Sequence, residues 1–318
     1  MKAVRIHEYG GPEVMRYDDV DPPEPGPDEV LVAVAAAGVN PADFKFRDGR
    51  LREIAALTFP ATLGSDIAGV VVATGSAVSD PAPGTRVGAM LEPTTPNGYA
   101  ELVCVPAADC AVLPDDMSFV AAAAVPCAGL TGAQMVERIL APKAGDLVLV
   151  IGATGMVGRF AMQEVKNAGA RVVAAVRPGY AEQARALGAD EVVPLDGSAW
   201  AGAAFDGVVD TVGGPAASVL AAAVKPDGII VTAATDPLDI ASLPVAPSYV
   251  GVRPDGPQLQ RLLEAVHSGK VPVPVAATHP LSDAGAAHAA VERGGLSGKV
   301  VLLIGDNGTT AAAIDGPS

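Results

Sequence analysis

Two hydrophobic patterns alternate along the second half of the chain. Short continuous apolar runs, typical of buried strands, are separated by longer segments in which apolar residues return every three or four positions, as in helices. The runs predict strands at 147–151, 171–176, 191–194, 206–210 and 228–233. The longer segments predict helices at 156–168, 179–187 and 215–224. This alternation predicts an α/β fold with a doubly wound parallel sheet.

The chain on either side of this region has a different character. Residues 1–117 contain many Pro and Gly turns between valine-rich segments, with strands expected at 30–35, 68–73 and 98–105. This pattern predicts a compact β-rich domain, a partial barrel. A helix-rich stretch at 119–140 precedes the parallel sheet. After the sheet we expect a helix at 257–268, a strand or edge segment at 271–275 and a helix at 282–293 capped by Ser282. A strand at 298–304 and a loose tail at 307–318 should follow.

A glycine-rich loop connects the first predicted strand of the sheet to its helix. Gly152, Gly155 and Gly158 are spaced three residues apart, with Thr154, Met156 and Val157 between them. Glycine allows a sharp turn and a close approach of a pyrophosphate, and the helix N-terminus offers N–H groups to that anion. In a chain with 36 glycines a lone triplet is weak evidence. Here strands lie on both sides at the right distance, so the loop predicts a dinucleotide site.

The residue after the second predicted strand indicates which dinucleotide the site binds. An NAD-specific site usually carries an acid there, which binds the ribose hydroxyls. This chain carries Arg177, whose planar guanidinium suits a 2′-phosphate, so the sequence favours NADPH. The alternative is a solvated surface arginine.

Composition excludes several classes of protein. The net charge of −15 argues against nucleic acid and against anionic membrane surfaces as partners. The three cysteines, Cys104, Cys110 and Cys127, have no metal-binding spacing and fit a reduced cytoplasmic protein. The N-terminus reads as a strand rather than a secretion signal, and no apolar run reaches membrane-spanning length without interruption.

Several motifs together resemble one family, the zinc-free quinone oxidoreductase branch of the medium-chain dehydrogenase/reductase superfamily. They span nearly the whole chain: Met1–Ile6 with Gly10–Val14, Ala37–Asp43, Gly64–Val70, Gly84–Gly88, Gly98–Glu101 and Gly129–Thr131. The resemblance implies a GroES-like catalytic domain (1–117 and 257–318) into which a Rossmann NADP-binding domain (118–256) is inserted. Zinc-dependent relatives carry Cys where this chain has Asn40, and Gly-His-Glu where it has Gly64–Asp66. We therefore expect no metal.

The resemblance also implies which residues contact the cofactor. Thr131 is expected to hydrogen-bond the cofactor, with capping of a helix after a break as the alternative. Val212 follows the fourth strand and should border the adenosine ribose, while Thr232 and Ala233 follow the fifth and should border the nicotinamide ribose. Lys299 is expected to return near the cofactor, or else to be a charge beside a strand.

The implied reaction is hydride transfer from NADPH to a quinone or to the β-carbon of an α,β-unsaturated carbonyl. Such a reduction leaves an enolate, which needs charge stabilisation and a proton. Lys45 is the candidate for that work, and a solvated lysine is the alternative. Asn40 is expected to face the nicotinamide, with capping of the turn before Pro41 as the alternative.

Other functions remain open at this point. One is a biosynthetic enoyl reductase acting on an acyl or polyketide intermediate, and another is a non-catalytic NADPH-binding protein like the lens crystallins of this family. The resemblance also implies a homodimer that pairs sheet edges through residues 242–251.

Overall fold

The computed structural model describes residues 1–198 and 200–305, and the expected tail at 307–318 lies outside that range. The chain forms two compact units. The first unit consists of Met1–Leu130 and the C-terminal segment that begins at Arg253, and the second unit is Thr131–Val252. These limits differ from the expected domain boundaries after residues 117 and 256, which stay a prediction.

The N-terminal part of the first unit is rich in short strands, as its turns and valine-rich segments predict. Its strands are β1 (Lys2–Ile6), β2 (Met15–Asp19), β3 (Glu29–Val39), β4 (Ala61–Thr62), β5 (Asp66–Thr74), β6 (Arg86–Met90), β7 (Leu102–Pro106) and β8 (Cys110–Val112). Two helices accompany them, α1 (Pro41–Arg47) and α2 (Phe119–Ala123). Ser118 caps α2 by accepting a hydrogen bond from the Ala121 N–H.

The second unit alternates strands and helices. Its strands are β9 (Leu147–Ile151), β10 (Arg171–Val176), β11 (Glu191–Pro194), β12 (Phe205–Asp210), β13 (Val224–Thr232) and β14 (Ser248–Tyr249). Its helices are α4 (Met156–Asn167), α5 (Ala181–Ala186) and α6 (Gly214–Ala221), preceded by α3 (Pro126–Gln134), which crosses the boundary between the units, and by a π-helical segment, Met135–Leu140.

The six strands of the second unit form one parallel sheet in the order β11-β10-β9-β12-β13-β14. Both faces of the sheet are covered, which explains why β9 reads as a continuous apolar run. Val148 and Val150 pack on one face, while Leu149 and Ile151 pack on the other. The predicted doubly wound parallel sheet is therefore confirmed.

The chain returns to the first unit through α7 (Gly256–His267), β15 (Val275–Pro280), α8 (Ala284–Arg293) and β16 (Lys299–Leu303). Strand β16 pairs antiparallel with β3, and this pairing joins β16 to a seven-stranded sheet. A second, three-stranded sheet has the order β2-β1-β4. The β-rich architecture predicted for this part of the chain is confirmed.

Three local predictions were wrong. The strand expected at 271–275 begins only at Val275, after a segment rich in proline. Ser282 does not cap α8, because a 3-10 turn (Leu281–Asp283) precedes that helix and places Asp283 at its N-cap. The strand expected at 98–105 starts at Leu102, because the preceding residues form a loop that joins the sheet at Ala100 by a single bridge.

Candidate functional site

The glycine loop, Gly152–Gly158, lies in the second unit between β9 and α4. Gly152 has a φ of +80°, and a Cβ there would stand 2.4 Å from the Thr211 hydroxyl oxygen. A Cβ on Gly158 would stand 2.3 Å from the carbonyl oxygen of Gly152. A side chain at Gly152 would be strained by the positive φ and would meet the Thr211 side chain, and one at Gly158 would meet backbone, so both glycines are needed for the tight turn.

Gly155 is the N-cap of α4, and Met156 and Val157 are its first two residues. The first N–H groups of a helix have no partner within the helix and carry partial positive charge. The loop therefore has the geometry that the prediction requires of a site for a pyrophosphate.

The other predicted cofactor residues of the second unit follow neighbouring strands at the same edge of the sheet. Arg177 follows β10, Val212 follows β12, and Thr232 ends β13. In parallel sheets this carboxyl edge is where ligands bind. The structure thus brings the glycine loop and these three residues to one edge, while their contact with a cofactor stays a prediction.

Asp210 is fully buried and connects the segments that follow β12 and β13 at that edge of the sheet. Its carboxylate accepts hydrogen bonds from the N–H groups of Val212 and Gly213 at 3.0 and 2.9 Å, and from the Thr232 hydroxyl at 2.8 Å. Its carbonyl accepts the Ala233 N–H at 3.0 Å. The loops after β12 and β13 are fixed to each other by this residue.

Arg177 is exposed, and its guanidinium carbon lies 5.1 Å from the ring centroid of Tyr180. Such stacking restrains the guanidinium while leaving its N–H donors available to an anion. Arg185, a second basic residue near this position, pairs with Glu182 at 2.6 Å. Arg177 therefore remains the better candidate for a 2′-phosphate.

Thr131 lies inside α3, which begins at Pro126, so it does not cap a helix and the capping alternative is wrong. Its neighbour Gly132 lies against α4, since a Cβ there would stand 2.5 Å from the Val157 carbonyl oxygen. Thr131 is therefore adjacent to the helix that carries the glycine loop.

The first unit contains a buried polar cluster made of side chains from distant parts of the chain. Its members are Asn40, Asp43, Arg47, Asp66, Tyr99, His288 and Lys299. Each of them is at most 5% exposed. Buried polar groups are costly unless they are paired, and here they hydrogen-bond one another.

Lys299 and Asp66 form the charged centre of the cluster. The Lys299 ammonium lies 2.8 Å from the Asp66 carboxylate and also donates to the Asn40 amide oxygen. The Asn40 amide nitrogen donates to the same carboxylate at 2.9 Å. The other Asp66 oxygen accepts the Cys127 N–H at 2.7 Å. These contacts fix the Asn40 amide and give Lys299 a role as the partner of Asp66.

Asn40 is also the N-cap of α1, as its alternative reading proposed, with Pro41 as the first residue of the helix. Asp43 accepts the Asn40 N–H at 2.8 Å and the Tyr99 hydroxyl at 2.7 Å. Burial raises the pKa of Asp43 to about 7, although both hydrogen bonds oppose the rise. A cofactor contact of Asn40 or Lys299 stays a prediction.

A hydrogen-bonded chain continues from Tyr99 to the surface. His288 contacts the Tyr99 hydroxyl through Nε2 at 3.2 Å and the Arg47 guanidinium through Nδ1 at 3.3 Å. Arginine only donates, so Nδ1 accepts and Nε2 carries the proton. Burial, and then the charge of Arg47, lowers the pKa of His288 to about 3, which keeps the ring neutral. Arg47 ends the chain at Glu292, 2.9 Å away.

Most of this hydrogen-bonded series of side chains could not be predicted from the sequence. The sequence carries no signal that places His288 in a site, and Tyr99 lies only inside the motif Gly98–Glu101. One signal was present: Asp43 and Arg47 are four residues apart, which places opposite charges on one face of a helix. Nothing in the linear sequence ties that face to His288.

Lys45 also lies on α1, but it is only half-buried. Burial lowers its pKa, and the nearby charge of Arg50 lowers it further. An ammonium in such a place is incompletely hydrated, and it therefore suits stabilisation of an anionic oxygen.

No metal centre is built from the residues that the structure describes. Within 1–198 and 200–305, no group of three or more His, Cys, Asp and Glu side chains is arranged to hold an ion. Within the same ranges, no helix is both long enough and apolar enough to cross a bilayer.

Comparisons with known proteins agree with this architecture. Residues 26–115 match the alcohol dehydrogenase GroES-like domain, and residues 187–302 match a zinc-binding dehydrogenase domain. The mitochondrial NAD(P)H oxidoreductase RTN4IP1 of Mus musculus is 30% identical over 96% of this chain and 89% of its own length. The quinone oxidoreductase of Coxiella burnetii superposes with a TM-score of 0.84 at 28% identity, covering 96% of this chain and 99% of that structure.

The chain belongs to the zinc-free quinone oxidoreductase-like branch of the medium-chain dehydrogenase/reductase superfamily. A mycobacterial member solved in complex with NADPH is 29% identical, with a TM-score of 0.82, and covers 95% of this chain and 100% of that structure. The predicted family is confirmed, and the chain is an NAD(P)H-dependent oxidoreductase whose substrate is a small molecule.

Proposed function

We propose that the protein is an NADPH-dependent reductase that transfers hydride, without zinc, to a quinone or to an α,β-unsaturated carbonyl compound. The observation that carries the cofactor choice is Arg177, an exposed guanidinium stacked on Tyr180 at the carboxyl edge of the sheet. The glycine loop at the same edge suits the pyrophosphate.

In this proposal some residues bind the cofactor and others stabilise the negative charge that develops on the substrate. The free N–H groups at the start of α4 bind the pyrophosphate, and Arg177 binds the 2′-phosphate. NADPH supplies the hydride when bound. With an enone acceptor, the β-carbon gains the hydride, the carbonyl oxygen becomes an enolate oxygen, and the α-carbon later takes a proton from water.

Lys45 is proposed to donate a hydrogen bond to that oxygen and to stabilise its negative charge. Asn40 is proposed to orient the reactants, since its own amide is held by Lys299 and Asp66. Zinc is not required in this proposal, because the Asp66 carboxylate already has a lysine, an amide and a backbone N–H as partners.

A screen of NADPH oxidation tests the function. The panel contains simple quinones, short 2-alkenals and enones, and acyl-thioester enoates. Turnover with quinones or enones supports the proposal, preference for acyl thioesters would support a biosynthetic enoyl reductase, and binding of NADPH without any turnover would support a crystallin-like protein.

The cofactor choice has its own test. Arg177→Ala removes the guanidinium and should reduce the preference for NADPH over NADH by about tenfold or more, the scale of a charge-assisted bidentate contact. Arg185→Ala is the matched control, because its guanidinium pairs with Glu182. An unchanged preference in Arg177→Ala would remove that residue as the selector.

We also propose a homodimer formed at the β14 edge of the parallel sheet. β14 pairs with β13 on one side and ends the sheet order on the other, and Tyr249 on it is 56% exposed. A second copy would cover this edge. Light scattering after gel filtration should give twice the chain mass, and a monomer at micromolar concentration would refute the dimer.

A cytoplasmic location is proposed from the cysteines. Cys104, Cys110 and Cys127 form no disulfide in the structure, as expected in a reducing compartment. Cell fractionation tests this location, and recovery with membranes or in the secreted fraction would contradict it.

A further inference from the structure

A buried arginine lies behind the glycine loop. Arg159 is the fourth residue of α4 and is only 4% exposed. Long side chains on a helix point back toward its N-terminus, and that of Arg159 reaches the turn that precedes the helix. Burying a guanidinium is costly, and burial lowers its pKa, so its contacts must compensate for lost hydration.

Its contacts include the backbone of the glycine loop. One guanidinium N–H donates to the Thr154 carbonyl at 2.7 Å, and Nε donates to the Gly155 carbonyl at 3.3 Å. The Arg159 backbone N–H donates to the same Gly155 carbonyl at 3.1 Å. The two peptide groups on either side of Gly155 are therefore held by one side chain.

Holding these carbonyls has a consequence for the opposite side of each peptide group. In a trans peptide the N–H points away from the C=O, so a carbonyl fixed toward Arg159 directs the Met156 N–H the other way. This N–H belongs to the first residue of α4 and has no partner within the helix. The guanidinium also places a fixed positive charge behind the loop.

We infer that Arg159 is a positioning residue for the dinucleotide pyrophosphate: it orients the amides of the glycine loop and adds positive charge there, without touching the cofactor. This inference rests on the proposed NADPH function. The inference gives the two arginines different roles. Arg177 would recognise the 2′-phosphate, and Arg159 would support the binding of the pyrophosphate, which NADPH and NADH share.

The test compares three ligands on two variants. Arg159→Met removes the charge and the donors at similar length. Arg159→Lys keeps the charge but loses the planar fork that reaches two carbonyls. Dissociation constants are measured by fluorescence titration for NADPH, NADH and adenosine 2′-monophosphate, which has the 2′-phosphate but neither phosphate of the pyrophosphate.

Arg159→Met should weaken NADPH and NADH by the same factor, about tenfold for one lost set of charged hydrogen bonds, and should leave adenosine 2′-monophosphate binding unchanged. Arg159→Lys should show a smaller loss with the same ligand pattern, and it serves as the test if the methionine variant does not fold. Arg177→Ala should give the opposite pattern, weakening NADPH and the monophosphate but not NADH.

Two results would overturn the inference. One is unchanged NADPH affinity in both Arg159 variants. The other is an equal loss for the monophosphate, which would mean that Arg159 only supports the fold of the unit. Failure of the proposed function looks different, because the wild-type protein itself would then not bind NADPH or oxidise it.

Discussion

The glycine loop of the second unit comes from one continuous stretch of chain, whereas the buried polar cluster of the first unit draws on five separate parts of it. The loop presents backbone N–H groups, and its function depends on the absence of side chains at Gly152 and Gly158. The cluster depends on side chains, with a lysine on β16 neutralising an aspartate on β5. The loop is therefore sensitive to added side chains, whereas the buried charge pair is sensitive to the loss of either of its members.

The largest expected effect is on that charge pair. Lys299→Met leaves the Asp66 carboxylate buried beside an apolar side chain, and breaking a buried pair typically costs about 3–5 kcal/mol. We expect a loss of this size in the free energy of unfolding, measured by urea denaturation. Lys270→Met, which changes an exposed lysine, is the control and should be neutral. A neutral Lys299→Met would show that the pair is not needed for the fold.

The second prediction concerns the glycine loop. Gly158→Ala places a Cβ 2.3 Å from the Gly152 carbonyl oxygen, and such overpacking costs about 1–3 kcal/mol. Both stability and NADPH affinity should fall. In Gly155→Ala the nearest atom stands at 3.1 Å, so its loss of stability should be smaller. Equal stability of the two variants would contradict the tight turn.

The third prediction uses the pH dependence of Asp43. Its folded-state pKa of about 7 lies above its ordinary value of 3.8, so the folded protein holds this proton more tightly than the unfolded chain does. The contribution of Asp43 to stability is therefore favourable at low pH and is lost as the pH rises from about 4 to about 7.

Asp43→Asn isolates this contribution, because an amide oxygen can still accept the Tyr99 hydrogen bond. The stability of the wild type relative to Asp43→Asn should fall by about 2 kcal/mol between pH 5 and pH 8. A difference that is independent of pH, measured by chemical denaturation, would show that Asp43 titrates normally.

The smallest effect is expected at Lys45, which lies beside the cluster but outside it. Lys45→Met should lower kcat on the preferred acceptor by about tenfold through the lost hydrogen bond to the developing oxyanion. Burial lowers the pKa of Lys45, so its ammonium loses its proton earlier as the pH rises. Wild-type activity should therefore decline with rising pH before the pH reaches the ordinary lysine value of 10.5. The Lys270→Met control should keep full activity, and an unchanged kcat and KM in Lys45→Met would remove Lys45 from the mechanism.

The contrast between a site made from one continuous stretch and a cluster made from distant residues explains what could be predicted from the sequence. The glycine loop, the strands that lead to it and Arg177 are local features, and the structure places them at one sheet edge as the alternation of strands and helices requires. The cluster is not local: Tyr99 meets His288 across 189 residues, and Lys299 meets Asp66 across 233. No local pattern encodes such pairings. Arg159 was missed because an arginine on a helix ordinarily lies on its solvated face.

The central claim is hydride transfer from NADPH to the acceptor, and an isotope experiment with an enone tests it most directly. NADPH carrying deuterium at the transferred position of nicotinamide C4 is supplied with the best enone of the acceptor panel, and the product is analysed by NMR. The account predicts one deuterium at the former β-carbon, with the α-position receiving hydrogen from water. A reduced product without deuterium at the β-carbon would contradict it.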